Sequence, residues 1–141
     1  MRTKAKCALP AAALTAALAA AAPSPASAYS GCWSGGPSVE LQPGLTLGTK
    51  WCHNYRSYRL RWQGVTTGHL YAGNNWFVCQ RPGGANPAIG SARNNWWLFT
   101  QGDIGYAHRG WGWFPATMVS GGGNYAPIPG LRSCDSQDPG F

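Results

Sequence analysis

Acidic side chains are scarce. The 141-residue chain carries four carboxylates, Glu40, Asp103, Asp135 and Asp138, against 11 Lys and Arg. Most hydrolytic mechanisms draw on acidic groups held close together, so a conventional hydrolase has little to work with. Histidine is scarce too: His53, His69 and His108 lie 16 and 39 residues apart, with no H-x-H or H-E-x-x-H pairing of the kind that holds zinc. No Gly-x-Ser-x-Gly elbow supplies a nucleophile, and no C-x-x-C is present. Neither a metal nor a cofactor is expected. Helical periodicity is missing: after the N-terminus no long stretch shows apolar residues at 3.6-residue spacing, and none reaches the ~20 apolar residues of a membrane helix. No membrane span is expected. The length has no room for a doubly wound sheet with a second lobe, which leaves one small domain.

Aromatic residues are abundant instead. The chain has 8 Trp, 6 Tyr and 4 Phe, more than its charged residues, a bias opposite to that of disordered chains. The N-terminus reads as a secretory signal peptide over residues 1–28. Arg2, Lys4 and Lys6 form a basic region, residues 8–22 are an Ala/Leu stretch, and Ala26-Ser27-Ala28 is an A-x-A cleavage site. Cleavage after Ala28 lowers the net charge from +7 to +4, which weakens a nucleic-acid reading and predicts a secreted, extracellular protein. Cys7 leaves with the signal. The remaining four, Cys32, Cys52, Cys79 and Cys134, imply two disulfides in one of three connectivities. Pairing Cys32 with Cys52 and Cys79 with Cys134 is preferred, because it keeps one bridge within each half and ties the tail to the body.

Glycine and proline recur every few residues, the punctuation of an all-β chain. Tyr58, Leu60 and Trp62 alternate with Arg59 and Arg61, which predicts a strand with an apolar face and a cationic one. Residues 76–80 and 96–100 read as strands. Residues 39–41 and 45–47 straddle Pro43-Gly44 as a small hairpin. Residues 105–108 and 111–114 flank Arg109-Gly110 as a second one. The organisation expected is an N-terminal extension over 29–56, a small barrel over 57–120 and a Gly/Pro-rich tail over 121–141 that Cys134 pins down. Trp111 and Trp113 share a strand face, Gly112 and Phe114 the other, so if Phe114 is core both tryptophans face outward. A single Trp is more often buried than not, but a barrel this small cannot bury the whole set, and outward aromatic patches mark binding sites.

Residues 57–120 resemble an SH3-like barrel of the bacterial, secreted kind (the SH3b type). The resemblance rests on Leu60-Arg61, then Gly68, Leu70 and Gly73, on Trp76-Phe77-Val78, on Trp96-Trp97, and above all on Gly112-Trp113-Phe114-Pro115-Ala116 with Val119. Small secreted actinobacterial proteins are also similar, through Val78-Cys79-Gln80, Asn94-Asn95-Trp96-Trp97, Val119-Ser120-Gly121 and the Pro127 to Leu131 stretch before Cys134. The resemblance implies binding of extended peptides in an aromatic groove, with Trp96, Trp113 and Pro115 on its surface and Tyr71 beside them. Thr117-Met118 stand where the family carries Asn-Tyr.

The function expected is therefore a noncatalytic, monomeric module that binds an extended peptide or cell-wall polymer through Tyr71, Trp96, Trp113 and Pro115. The alternative is a secreted inhibitor or toxin acting on another protein, a role that suits disulfide-stapled scaffolds. A small hydrolase comes third: Glu40 or Asp103 with His108 and Arg109 are the groups a ribonuclease would need. The cluster Arg56, Arg59 and Arg61 reads as a solvated strand face, with attraction to anionic polymers as its functional counterpart.

Overall fold

The computed structural model describes residues 29–140, so the signal-peptide reading of residues 1–28 lies outside the described residues. Among the described residues the chain forms ten strands and two short 3-10 turns, with no α-helix. The first hairpin forms as its turn dipeptide predicts: β1 (Val39–Gln42) pairs antiparallel with β2 (Leu45–Leu47). β3 (Lys50–Asn54) pairs with β6 (Gly73–Phe77) in a separate ladder. The third sheet has six strands in the order β7-β8-β10-β4-β5-β9. Here β4 is Tyr58–Trp62, β5 Val65–Leu70, β7 Cys79–Pro82, β8 Trp96–Gln101, β9 Ile104–Gly105 and β10 Trp111–Pro115.

Two expectations about strands change. The run 76–80 divides at Val78, because β6 pairs with β3 while β7 turns away to pair with β8. The second hairpin does not form. His108, Arg109 and Gly110 all take positive φ (48°, 53° and 79°), which turns the chain so that β9 joins β5 and β10 runs between β8 and β4. A register shift between Leu60 and Arg61 also breaks the alternation of β4. Tyr58 and Leu60 pack in one core cluster and Trp62 in the other.

Both faces of β10 are buried, and this overturns the outward placement of its tryptophans. Phe114 packs with Leu60, Phe77 and Leu98 on one side. Trp111 and Trp113, each 2% exposed, pack with Phe99, Val78, Leu41 and Leu47 on the other. The reasoning from Phe114 assumed a sheet with one solvated face; the β1–β2 hairpin covers the second face and makes a second core. The Arg109 guanidinium fastens that cover by donating to the Leu41 carbonyl.

The tail is built into the core. Ile128 (1% exposed) and Leu131 (7%) belong to the first cluster. Gln80 holds them: its Nε2 donates to the carbonyls of Ile128 (2.8 Å) and Leu131 (2.7 Å), and its Oε1 accepts from Ile128 N–H (2.8 Å). Disulfides join Cys32 to Cys52 and Cys79 to Cys134, the preferred connectivity. No helix among the described residues is long and apolar enough to cross a membrane.

Candidate functional site

Directly opposed residues of an antiparallel pair share a face. The register therefore sets two rows across the sheet. Arg81 (β7), Trp97 (β8) and Pro115 (β10) form one; Cys79, Phe99, Trp113 and Arg61 form the next. At the end of β4 a two-residue turn, Gln63-Gly64 with φ of 52° and 77°, has the positive pair that tight hairpins require. Between that turn and Gly84 lies a cleft of about 320 Å³, lined by Arg61, Trp62, Gln63, Gly64, Gly84, Trp97 and Trp113. Buried Trp113 forms its floor, half-buried Trp62 and Trp97 its sides, and exposed Arg61 and Gln63 its rim.

The indoles are fixed by their polar ends. Trp62 Nε1 donates to the Gly140 carbonyl (2.8 Å) and Trp97 Nε1 to the Gly84 carbonyl (2.7 Å). The Arg81 guanidinium lies 5.3 Å over the Trp113 ring, within cation–π range. Rings held this way meet a ligand with preset faces, and little rotamer entropy remains to be lost on binding. Among the described residues no Asp or Glu lines the cleft.

Of the residues expected to form a groove, two share this face. Trp113 is the cleft floor, and Pro115 is buried two positions along the same strand. Trp96 points the other way, packing against the first core cluster, because alternation along β8 sends neighbours to opposite faces. Tyr71, 50% exposed, sits past the end of β5, where its N–H donates to Asp103 Oδ2 (2.8 Å) and its ring meets His69 edge-on at 5.2 Å. The set Tyr71, Trp96 and Trp113 therefore does not line one groove. Trp62, Trp97 and Gln63 were missed as site residues, and Arg61 entered the sequence reading as part of the Arg56, Arg59 and Arg61 cluster and not as a groove residue. Their signal was present in part: Trp97 alternates in phase with Phe99, and Phe99 faces Trp113.

The titratable groups are dispersed. His53 Nδ1 meets Asn74 Oδ1 (2.8 Å) beneath the stacked Tyr29 ring, while His108 packs against Trp62. Glu40 accepts from Gly44 N–H, and Asp135 and Asp138 lie beside Arg132. Cys79, Cys134 and Asp138 approach one another closely, but the two sulfurs are consumed in a disulfide and offer no thiolate to a metal. A second cavity of about 340 Å³ lies between Arg93 and the 121–123 glycines, with Tyr55 at its edge. Burial raises the Tyr55 pKa above its usual value, against a smaller lowering from Arg56, and its hydroxyl donates to the Thr117 carbonyl. No family model, curated protein or solved structure matches the chain.

Proposed function

We propose that the chain is a secreted, noncatalytic binding module on an SH3-like barrel, holding an extended peptide or cell-wall segment in the Trp62–Trp97–Trp113 cleft. The observation that carries this reading is the cleft itself: three indoles from three strands converge on a recess of ligand size with cationic and amide groups at its rim. Barrel closure draws support from the 3-10 turn Ala116–Met118 after Pro115, which returns Val119 to bridge Asn54 of β3. Two disulfides accord with an extracellular protein.

Gly84 provides the test. A Cβ there would meet nothing within 4 Å, so the fold has room for a side chain at this lining position, and Gly84→Leu should obstruct the cleft mouth. Purified peptidoglycan should retain the parent protein and release Gly84→Leu; equal retention of the two would overturn the cleft assignment. A second reading, an inhibitor of another secreted protein, draws on Tyr71, Ile104 and Tyr106, all exposed around β9. Inhibition of a protease or lysozyme that survives Gly84→Leu but is lost in Tyr106→Ala would favour it.

A further inference from the structure

Resting on that reading of the cleft, we infer that its ligand is a saccharide, bound by stacking of sugar rings on the indole faces, and not a peptide. Three observations converge on this.

The first concerns the strands. A peptide commonly docks on a sheet by adding a strand to an unpaired edge, where main-chain hydrogen bonds supply affinity. The cleft lies over β4, β8 and β10, each with a hydrogen-bonded neighbour on both sides. No main-chain ladder is open there.

The second concerns the indole N–H groups. An aromatic groove that grips a peptide without a ladder needs donors for the peptide carbonyls, since an unpaired buried carbonyl is costly. The Trp62 and Trp97 donors are already spent on the Gly140 and Gly84 carbonyls, so the half-buried walls offer a peptide none and the remaining donors stand at the rim, on Arg61 and Gln63. What these rings still offer is π surface, and the C–H face of a pyranose has the flat, weakly positive character that an indole face attracts.

The third concerns the rim. Arg61 and Gln63 are exposed, and Arg61 Nη2 makes a long 3.4 Å contact to the Gly64 carbonyl. Guanidinium and amide groups suit the hydroxyls around a sugar ring, each of which both donates and accepts.

The experiment titrates residues 29–141 with chito-, cello- and galacturono-oligosaccharides and, separately, with oligoproline and oligoglycine. Tryptophan fluorescence and the indole N–H resonances are followed. At least one saccharide series should bind, with the Trp62 and Trp97 N–H signals keeping their hydrogen-bonded positions. Gly84→Leu should weaken it by about tenfold or more, and Arg61→Ala, an exposed change that leaves the core intact, several-fold. Peptide binding that Gly84→Leu removes, with no saccharide bound, would overturn the saccharide inference and leave the binding-module reading standing. Failure of every saccharide to bind, with no peptide bound either, would overturn it too, and equal wall retention of parent and Gly84→Leu would then remove the underlying reading separately.

Discussion

Gln80→Met isolates the contribution of one side chain to the whole C-terminal third. Gln80 is 1% exposed, and its amide serves the Ile128 N–H and the Ile128 and Leu131 carbonyls at once. Methionine has nearly the same length and volume, so the substitution removes hydrogen bonds and leaves packing close to intact. Three buried backbone groups would lose their partners, at about 1–3 kcal/mol each and less than additively, which gives about 3–5 kcal/mol. If the segment opens to water instead, the loss is the burial of Ile128 and Leu131, about 1.5–3 kcal/mol apiece, and the total is of the same order. Urea unfolding followed by tryptophan fluorescence should show this loss with an unchanged m-value, and the melting temperature should fall by roughly 10–20 °C. Hydrogen exchange at the Ile128 amide should accelerate in parallel. A loss below about 1 kcal/mol would refute the reasoning, because the amide would then be exchanging its partners for water without penalty. Gln80→Glu sharpens the point. Its carboxylate keeps the acceptor for Ile128 but faces two carbonyls, so the folded state raises its pKa, and the deficit relative to the parent should grow as pH rises through that value.

Gly112→Ala should be strongly destabilising for its size, since a Cβ at this point of β10 would stand 2.5 Å from Thr67 Oγ1 and 3.0 Å from Leu60 Cβ; thermal unfolding should register a loss of about 1–3 kcal/mol. Replacing the cysteine pair 79 and 134 by alanine should cost more than replacing 32 and 52. Chain entropy assigns about 4 kcal/mol to the bridge of sequence separation 55 and about 3 to that of separation 20, and equal losses in urea would contradict the ordering. Asp138, whose side chain is 2% exposed, accepts from the Arg132 guanidinium at 2.6 and 2.8 Å, and that pairing holds its pKa below the ordinary carboxylate value. A depressed folded pKa adds stability above the unfolded pKa and loses it as pH falls through the folded one. The stability difference between the parent and Asp138→Asn should therefore be full at neutral pH and vanish in strong acid.

What the sequence made legible was local. The alternation in Tyr58–Trp62 and the Pro43-Gly44 dipeptide located β4 and the first hairpin, because a period of two and a turn signal need no knowledge of distant chain. The all-β class and the disulfide connectivity followed from composition and economy of pairing. Faces were another matter. Alternation along β10 places Trp111 and Trp113 outward if Phe114 is core, an inference valid only for a sheet solvated on one side. The cover came from Leu41 and Leu47, seventy residues earlier by rough count, and nothing in the period of β10 announces it. Ile128 and Leu131 were illegible as core for a similar reason: they stand in a Pro/Gly segment without periodicity and are placed by the Gln80 amide.

The aromatic surplus remains the feature that links fold to function, though it divides differently from the first expectation. Composition implied that a small barrel cannot bury every ring, and that the excess marks a surface. The second core absorbs Trp111, Trp113 and Phe99, and much of the surplus disappears into structure. Tyrosines make up most of the exposed remainder: Tyr55, Tyr71, Tyr106 and Tyr125 are open to solvent on scattered elements. The cleft arises where the two populations meet. Its floor is a buried core tryptophan, and its sides are half-buried ones tethered through their indole nitrogens to backbone carbonyls. A site of this construction is rigid because it is an unfinished edge of the core, and for the same reason its mouth can be narrowed at Gly84, where an added Cβ would meet no atom within 4 Å. Stability and recognition then draw on the same rings but not on the same atoms, so Gly84→Leu should weaken binding by about tenfold or more while leaving the urea midpoint where it was.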